Sequence, residues 1–373
     1  MKNHPKRTII AALVLVPIGA VLLYAAYVFL SWHRVEDNLP LEVDWPNADC
    51  ITASVEKGTV YRVVSYNIGF GAYSDDYSFF MDGGAESRAR SPEAVRENVA
   101  GAMDAAMALD PDFLLLQEVD VDGTRSHHID ELALVKEAWE QAQGAAIYFS
   151  TFAQNYDSPY LLWPLTAPHG ANRAGLAVLS RHCIDSALRR QLPIEEGFMK
   201  LVDLDRCYSV QRIPITVDGG PEPDGRELVL YNLHLSAYTS DGTIAEEQLE
   251  MLFADMRAEY ERGNWTVAGG DFNKDLLGNS DVTFGVSGPA YTWAQPIPAE
   301  IVPEALSIVV PFDAADPKPS CRNADRPYGP DNFLVTVDGF IVSANVSVTR
   351  ADVWDTGFRY SDHNPVYMDF VLD

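Results

Sequence analysis

The sequence predicts an α/β domain in which two mixed β-sheets pack together and helices cover the outside. From Val60 onward, short runs of β-branched and aromatic residues alternate with amphipathic stretches of helical period. Strand candidates outnumber helix candidates by about three to one, which leaves too few helices for a parallel sheet with a helix after every strand. Hydrophobic residues make up 47 % of the 373 residues, which excludes global disorder and allows a large core.

Nine short runs are the strand candidates, and three longer stretches are the helix candidates. The predicted strands are Tyr61–Asn67, Phe113–Gln117, Tyr148–Thr151, Leu176–Ser180, Gln211–Val217, Leu228–Leu233, Trp265–Ala268, Phe333–Ser343 and Val366–Leu372. The predicted helices are Pro92–Leu109, Asp130–Gln143 and Ile244–Arg262. Proline after a serine, as at Ser91 and Pro92, is a good helix start because the first turn needs no proline N–H.

The first thirty residues differ from the rest and predict a transmembrane signal anchor. Lys2, Lys6 and Arg7 precede an uncharged apolar run over residues 8–30. As a helix this run is about 34 Å long, whereas a hydrocarbon core is about 30 Å thick. A cleaved signal peptide, which usually has a shorter apolar stretch, and a buried core helix are the alternatives.

The charges around this run predict the topology. Basic residues lie before it and the acidic Glu36 and Asp37 follow soon after, which favours a cytoplasmic N-terminus. We therefore expect a single-pass protein of the cell membrane with a cytoplasmic stub (1–7), an anchor (8–30), an extracytoplasmic tether (31–58) and one folded domain (59–373). The whole chain carries −27, and the stub holds three positive charges and no negative one, so the exported part carries −30.

This acidity narrows the possible partners. A protein with so large a negative charge repels polyanions unless bound cations or a local basic site intervene. Binding to a phosphate backbone through a basic surface is therefore disfavoured.

The four cysteines are Cys50, Cys183, Cys207 and Cys321. No pair has CxxC spacing, which argues against a structural zinc site. In an oxidising compartment three disulfide pairings are possible. Cys183 and Cys207 lie near strand-like runs that are close in sequence, which favours that pair. Four reduced, buried thiols are the alternative.

Five short motifs place polar side chains next to apolar strands. They are Ser65-Tyr-Asn-Ile68, Leu116-Gln-Glu-Val119, Tyr231-Asn-Leu-His-Leu235, Gly269-Gly-Asp-Phe-Asn273 and Tyr360-Ser-Asp-His-Asn-Pro365. Packing does not require a carboxylate or an imidazole at the tip of a buried strand. Taken singly, the motifs are also compatible with a solvated rim, a turn or a core histidine. Together and in this order they predict one site at an edge of the sandwich.

The set resembles the endonuclease/exonuclease/phosphatase superfamily, which includes DNase I-like nucleases, neutral sphingomyelinases and inositol-polyphosphate 5-phosphatases. The resemblance extends from about Tyr61 to Leu372 and suggests a membrane-anchored member of bacterial type. It implies a four-layer α-β-β-α sandwich and hydrolysis of phosphoesters with a divalent metal. Mg²⁺ is expected, with Mn²⁺ or Ca²⁺ as alternatives, because these ions prefer carboxylate and amide oxygens.

By this resemblance, three residues form the metal site. Glu118 is the principal ligand, Asn67 lies beside it and Asp362 adjoins the ion.

The resemblance also implies the catalytic residues. Asp271 and Asn273 position the attacking water and the phosphate, and His234 bonds the phosphate and can protonate the leaving group. Asp338 orients His363, which acts on the nucleophile and the transition state. An Asp–His pair fixes the imidazole tautomer and raises its basicity.

Three further residues are expected to contact substrate. Tyr73 belongs to an aromatic loop at 69–84 that is predicted to fold as a lid or wall beside Asn67, because exposing its aromatic residues together is costly. Arg322 is placed to reach a phosphate, with a surface ion pair as the alternative. Arg173 begins a stretch that looks like the family's glycine-containing strand ending in Ser-Arg.

The sequence thus predicts a membrane-anchored, extracytoplasmic phosphoesterase that works as a monomer without a protein partner. Its substrate is a small, lipid-borne or nucleic-acid phosphoester. A surface nuclease and a non-catalytic binding domain on the same fold are the alternatives.

Overall fold

The computed structural model describes residues 5–44, 54–143, 148–195, 197–201, 203–217, 220–222, 224–237, 243–286 and 293–373. The helices are α1 (Pro5–Ser31), α2 (Pro92–Met107), α3 (Glu131–Gln143), α4 (Thr243–Glu261) and α5 (Ser280–Phe284). The strands are β1 (Leu39–Leu41), β2 (Val55–Glu56), β3 (Val60–Asn67), β4 (Phe113–Gly123), β5 (Phe149–Asp157), β6 (Asn172–Ser180), β7 (Ser186–Gln191), β8 (Cys207–Val217), β9 (Gly220–Pro221), β10 (Glu227–His234), β11 (Trp265–Asp271), β12 (Leu306–Val309), β13 (Cys321–Arg322), β14 (Leu334–Val335), β15 (Asp338–Ser343), β16 (Val346–Val353) and β17 (Val366–Leu372).

Two mixed sheets form the centre of the domain. The first has the order β1-β7-β8-β10-β11-β15-β12, with β2 and β9 paired to β8, and the second has the order β16-β17-β3-β4-β6-β5. In the first sheet β10 is parallel to β11, and in the second β3 is parallel to β4. The predicted pair of mixed sheets is confirmed.

Three hydrophobic clusters separate four layers, which confirms the α-β-β-α sandwich. One cluster lies between the second sheet and helices α2 and α3, and another lies between the first sheet and α4. The third lies between the two sheets. Neighbours in one strand, such as Leu114 and Leu115, belong to different clusters because successive side chains point to opposite faces. The central strands are covered on both faces and are therefore almost continuously apolar.

The structure divides one predicted strand and adds several that the sequence patterns do not indicate. The run Phe333–Ser343 becomes β14 and β15, which lie in different sheets. Strands β7 and β16 were missed because their side chains are largely polar or exposed, as expected at or near the edges of sheets. All three predicted helices in the domain are present, with ends that differ by at most two residues.

The stretch expected to be a tether is attached to the domain. Strand β1 pairs with β7, and β2 pairs with β8. Arg189 is fully buried and donates hydrogen bonds to the carbonyl oxygens of Val35 (3.2 Å), Glu36 (3.1 Å) and Gln154 (2.8 Å). These bonds hold the chain that follows α1 against the body of the domain.

The predicted Cys183–Cys207 disulfide is wrong. Cys207 and Cys321 are buried free thiols, whereas Cys183 is disulfide-bonded to a partner outside the described residues. The alternative of four reduced thiols is also wrong. The two cysteines are close in sequence but lie in different hydrophobic clusters. Cys207 packs with Leu176 and Leu41, whereas Cys183 belongs to the cluster between the two sheets.

Helix α1 contains the apolar run predicted to cross a membrane. Its segment Ala12–Ser31 has a mean hydropathy of 2.4, and none of that segment is buried in the protein. By length and composition it is able to span a bilayer.

Gly270 permits the close approach of β11 to β10 just before Asp271. Its φ is +154°, and a Cβ atom there would lie 2.0 Å from the carbonyl oxygen of Leu233. A Cβ at Gly269 would instead meet the side chains of Phe340 and Leu115, at 2.8 and 2.9 Å. Backbone atoms of a central strand cannot move aside as side chains can.

We therefore expect Gly270→Ala to destabilise the protein by more than about 2 kcal/mol, in the range of severe backbone strain and overpacking. Gly269→Ala is expected to cost less, and Gly329→Ala, which meets nothing within 4 Å, is the control. Thermal denaturation of the three variants measures the order. Equal midpoints for Gly270→Ala and Gly329→Ala would contradict it.

Candidate active site

The five predicted motifs meet at one edge of the sandwich. The pairing of β10 with β11 places His234 beside Asp271, and the pairing of β11 with β15 places Asp271 beside Asp338. In the other sheet, Asn67 at the end of β3 lies beside Gln117 of β4. Because parallel strands of one sheet end at the same edge, their terminal side chains converge there. The structure therefore brings residues of all five motifs together at this edge, and their functional roles stay predictions.

A bulge in β4 turns Glu118 toward this edge. The register of β4 against β6 shifts between Leu116 and Val119, and Glu118 has a φ of +54°. Strands use such bulges to re-aim a side chain, often beside active sites. Gln117 meanwhile points between the sheets, where its Nε2 donates a 2.7 Å hydrogen bond to Oδ1 of Asn232.

Asn67 joins the carboxylates of the two sheets. Its Nδ2 donates to Glu118 Oε1 at 3.3 Å and to Asp271 Oδ2 at 3.0 Å. Its Oδ1 accepts a hydrogen bond from the backbone N–H of Gly69 at 3.0 Å. The amide N–H groups thus supply positive partial charge between two carboxylates, and the amide would have to rotate to offer its oxygen to a metal.

A chain of ionisable groups runs through the centre of the site. His363 Nδ1 lies 2.8 Å from Asp338 Oδ2, as the predicted Asp–His pair requires. On the other side of the ring, His363 Nε2 lies 3.7 Å from Asp271 Oδ2. The same oxygen lies 3.5 Å from His234 Nε2. Asp271 is therefore placed between two imidazoles.

The surroundings shift the pKa values of the two histidines in opposite directions. Burial lowers the pKa of His234 well below 6.5, and nearby cations, first Arg206, lower it further. Burial is the largest single effect and opposes the charged form of His363, but the charge and hydrogen bond of Asp338, together with neighbours that include Asp271, raise the pKa of His363 well above 6.5. At neutral pH the site thus holds a neutral His234 and an imidazolium at His363.

The carboxylates repel one another and are poorly hydrated. Burial raises the pKa of Asp271 to about 7, while the charge of His363 opposes the rise and Asp338 adds to it. Burial likewise raises the pKa of Asp362, with His363 acting in the other direction. One oxygen of Asp338, Oδ1, is buried without a hydrogen-bond partner among the described residues. The site is therefore short of positive charge.

This donor set suits a divalent cation. Asp271, Asp338 and His363 offer ligand atoms within 4.8 Å of one another. Glu118 and Asp362 border the same cleft, so the acidic donors available are oxygen atoms, as Mg²⁺, Mn²⁺ and Ca²⁺ prefer. His363 Nδ1 is already engaged by Asp338, which favours Glu118, Asp362 and a rotated Asn67 as ligands.

The aromatic loop forms a wall of the site, as predicted. Tyr73 is 6 % exposed and packs edge-on against Phe70, Tyr77 and Phe79, with ring centroids 5.1 to 5.3 Å apart. It lines a cavity of about 370 Å³ that also reaches Glu118, Asp271 and His363.

Arg322 is buried in this wall instead of forming a surface ion pair. Its Nη2 donates to the carbonyl oxygens of Ser74 (2.9 Å) and Tyr77 (3.3 Å), and its backbone N–H donates to the carbonyl oxygen of Asp362 (2.9 Å). The side chain lines the cavity, and its Nε has no partner among the described residues. It fastens the aromatic loop to the strand end that carries Asp362 and His363.

Arg173 is not brought to the cleft. Its side chain is 51 % exposed and pairs with Asp122 at 2.8 Å. It lies at the start of β6 and is not among the residues that line the cavity. The family pattern indicated correctly that Arg173 begins a strand. The register of β4 against β6 is irregular next to Arg173, and the side chain points outward there.

Sequence reasoning missed two arginines in the cleft. Arg125 is 5 % exposed, pairs with Asp120 at 2.7 Å and lies 4.0 Å from the ring centroid of Phe70. Arg206 is 3 % exposed, and its Nε and Nη1 are buried without hydrogen-bond partners among the described residues. The available signal for Arg206 was a basic residue at the start of an apolar strand in a very acidic chain. Unpartnered guanidinium donors in a cleft suit an anionic ligand.

Comparisons with known proteins agree with this architecture. Residues 64–363 match the family model described as the Endonuclease/Exonuclease/phosphatase family. A solved endonuclease/exonuclease/phosphatase from Beutenbergia cavernae is 20 % identical, with a TM-score of 0.54 over 84 % of this chain and 72 % of that one. No curated protein matches the sequence.

Two further solved structures show the same fold. A family protein from Leptotrichia buccalis is 13 % identical, with a TM-score of 0.52 over 83 % of this chain and 99 % of that one. ANGEL2, a 2′,3′-cyclic phosphatase solved with adenosine-2′,3′-vanadate, is 16 % identical, with a TM-score of 0.51 over 90 % and 99 %.

The different charge states of the two histidines can be measured. We expect Asp338→Asn to lower the pKa of His363 by about 1 to 3 on the pH scale, since an adjacent opposite charge contributes about that much. His234 should stay neutral in both proteins and serves as the internal control. Imidazole ¹⁵N chemical shifts followed through a pH titration of the metal-free protein report both residues. An unchanged pKa for His363 would show that Asp338 does not hold its proton.

Proposed function

The chain belongs to the endonuclease/exonuclease/phosphatase family, and from that premise we propose that it hydrolyses phosphoester bonds outside the cytoplasm with the help of a divalent metal. The observation that carries the proposal is the contact chain from Asp338 through His363 to Asp271, beside a cleft lined by buried arginines. An imidazole oriented by one carboxylate and facing a second is an arrangement suited to proton handling at a reacting phosphate.

We assign the handling of the attacking water to Asp271. A carboxylate with a pKa of about 7 is matched to general-base work near neutral pH, because it is partly ionised and still basic enough to take a proton. The backbone N–H of Asn273 donates to Asp271 Oδ1 at 2.9 Å, which leaves Oδ2 facing the cleft. Asn273 itself is held by a 2.8 Å hydrogen bond from its Nδ2 to the carbonyl oxygen of Leu235.

His363 has a complementary role. As an imidazolium it donates through Nε2 and neutralises charge that develops on the phosphoryl oxygens, which is the main requirement of phosphoryl transfer. Asp338 keeps the ring oriented and charged.

His234 and Arg206 are assigned to the phosphate. Because burial keeps His234 neutral, it acts as a hydrogen-bond donor through one ring nitrogen and does not need to give up a proton. This differs from the sequence expectation that it protonates the leaving group. Arg206 lines the same cavity, and its Nε and Nη1 have no hydrogen-bond partners within the described part of the chain.

We propose Glu118, Asp362 and Asn67 as the residues that hold the metal. When bound, Mg²⁺ would neutralise phosphate charge and lower the pKa of a coordinated water. Glu118 lies on β4 and Asp362 lies just before β17, so both carboxylates come from the second sheet and border the same cleft.

The place of action follows from α1. We propose that α1 is a membrane anchor with its N-terminus in the cytoplasm, which puts the domain on the outer side. The apolar, unburied segment Ala12–Ser31 and the basic residues before it support this arrangement.

Replacing the proposed base should abolish turnover without unfolding the protein. We expect Asp271→Asn to lower the rate with bis-p-nitrophenyl phosphate and Mg²⁺ by about 100-fold or more, in the range of a lost general base. The amide has the same shape and removes one of several crowded negative charges, so the melting temperature should be retained. Asp122→Asn, at a half-exposed carboxylate outside the cavity, is the matched control. Full activity in Asp271→Asn would refute the assignment.

The metal site can be tested without turnover. Mg²⁺ should raise the melting temperature of the wild type, because a ligand at 100 times its Kd adds about 2.7 kcal/mol of stability. Glu118→Gln should lose most of this rise, since it removes a charged ligand, whereas Glu137→Gln on the exposed face of α3 should keep it. EDTA should abolish hydrolysis. A rise of equal size in Glu118→Gln would place the ion elsewhere.

A further inference from the structure

We infer that the cleft opens onto the membrane crossed by α1 and that its substrate is a membrane-borne phospholipid, whose headgroup phosphoester enters the site while its acyl chains stay in the bilayer. This inference rests on the proposed phosphoesterase function and on the proposed anchor. It adds the surface through which the enzyme meets its substrate.

The first step is that α1 has a fixed position against the domain. Directly after the helix, Trp32 Nε1 donates to the carbonyl oxygen of Lys200 at 2.8 Å, and Arg34 Nε pairs with Asp205 at 2.6 Å. Arg189 binds the next carbonyl groups, those of Val35 and Glu36. No flexible linker therefore separates the membrane-spanning helix from the domain.

The second step is a loop that is bonded to the side of α1. We call residues 159–168 the apolar loop. The backbone N–H of Tyr160 donates to the hydroxyl of Tyr27 at 3.0 Å, and that of Leu162 donates to the hydroxyl of Tyr24 at 2.9 Å. The Tyr24 hydroxyl in turn donates to the carbonyl oxygen of Tyr160 at 3.1 Å.

These bonds set the depth of the apolar loop. Tyr27 and Tyr24 lie four and seven residues before the end of α1 at Ser31, or about 6 and 10 Å along its axis at ~1.5 Å per residue. Elements that lie in a membrane interface are buried to a depth of about 5–10 Å. Tyrosines near the end of a spanning helix also occupy this level. If α1 crosses the bilayer, the apolar loop must lie in its outer interface.

The third step is the composition of the loop. Large apolar side chains point outward along it: Tyr160 is 39 % exposed, Leu162 40 %, Trp163 66 % and Leu165 74 %. The loop is closed at its base by paired hydrogen bonds of 3.0 Å between Leu161 and Gly170. So many exposed apolar side chains on a closed loop indicate a contact surface, and here a lipid interface is the medium already beside it.

The fourth step is that the apolar loop is continuous with the cleft. Tyr24 and Trp163 line the same cavity as Asp271 and His363, so one wall runs from the membrane helix to the catalytic groups. Phe80 and Met81 of the aromatic loop add apolar surface to that cavity. The catalytic end of the cavity, by contrast, is lined by the carboxylates of Asp271 and Asp362 and by Arg206, whose Nε and Nη1 lack hydrogen-bond partners among the residues described. A cleft that is ionic inside and apolar toward the bilayer matches the two parts of a phospholipid.

Charge favours this substrate over nucleic acid. The chain carries −27 overall, and the cavity reaches few cationic side chains. A polyanion would have to approach a strongly negative surface over many phosphates, whereas a phospholipid presents its phosphate within the cavity.

The experiment uses the full chain reconstituted in phosphatidylcholine vesicles with Mg²⁺. Three substrates are compared: the vesicle lipid, soluble bis-p-nitrophenyl phosphate and plasmid DNA. We expect hydrolysis of the vesicle lipid. The double variant Leu162→Ser/Leu165→Ser should lower the rate on vesicle lipid by about tenfold or more, since it removes two large apolar contacts with the bilayer. Its rate on the soluble phosphodiester should stay within about twofold, because neither side chain lines the cavity.

Val282→Ser/Val348→Ser is the matched control, with side chains 76 % and 36 % exposed on other parts of the surface. It should change neither rate. Hydrolysis of the soluble phosphodiester or of DNA without hydrolysis of vesicle lipid would overturn the inference and leave the proposed function standing. Equal loss on all substrates in the leucine variant would also overturn it.

A second measurement does not depend on turnover. Brominated lipids quench tryptophan fluorescence only at short range, so they should quench a component of the wild-type emission that is missing in Trp163→Phe. Trp354→Phe, which replaces a 45 % exposed tryptophan elsewhere, should retain the quenched component. Identical quenching in Trp163→Phe and the wild type would show that the apolar loop is not in the membrane, whatever the activity. Absence of metal-dependent turnover on every substrate, with Trp163 quenched, would instead refute the proposed function.

Discussion

Mutual repulsion among carboxylates is the constraint on which this site depends. Glu118, Asp271 and Asp362 face one cleft at the edge of the sandwich, and Asp338 is buried directly beside Asp271. Burial disfavours the charged forms of Asp271 and Asp362. Partial and full positive charges offset this repulsion. They come from the Asn67 amide between two carboxylates, the His363 ring against Asp338, and buried arginines nearby. One oxygen of Asp338 still has no hydrogen-bond partner among the described residues, and such a surplus of negative charge favours the binding of a divalent cation.

The sandwich makes such crowding possible because its two sheets are joined by polar contacts directly behind the site. Gln117 of one sheet donates to Asn232 of the other at 2.7 Å, and Asn232 donates to the carbonyl oxygens of Leu116 and Ala177, both at 3.0 Å. All of these groups are buried, so each bond is made in a region of low dielectric constant and fixes geometry strongly. Residues at the ends of strands from different sheets are thereby held within hydrogen-bonding distance. The crowded carboxylates destabilise the folded protein, and the hydrophobic clusters on both sides of each sheet offset this cost.

Hydrogen bonds also connect the site to the aromatic loop on one side and to α1 on the other. The aromatic loop is fixed by Arg322, whose backbone also binds the carbonyl oxygen of Asp362, so the wall and the floor of the cleft move together. On the opposite side, residues 32–36 and the apolar loop hold α1 against the domain. The cleft and the apolar loop are in this way parts of one continuous surface. An enzyme built like this would gain its specificity from where its cleft is placed as much as from the residues inside it.

The sequence by itself determined the layers, the main strands and helices, the apolar N-terminal helix and the identity of the polar residues at the strand ends. These features depend on local periodicity and on unusual residue types at strand tips. Tertiary structure alone decided the rest. The bulge at Glu118, the outward turn of Arg173 and the burial of Arg206 in the cleft depend on contacts between segments far apart in the chain. The docking of the apolar loop on α1 joins residues more than 130 positions apart. No local pattern encodes such distances, because contact between remote segments is settled only when the sheets are assembled.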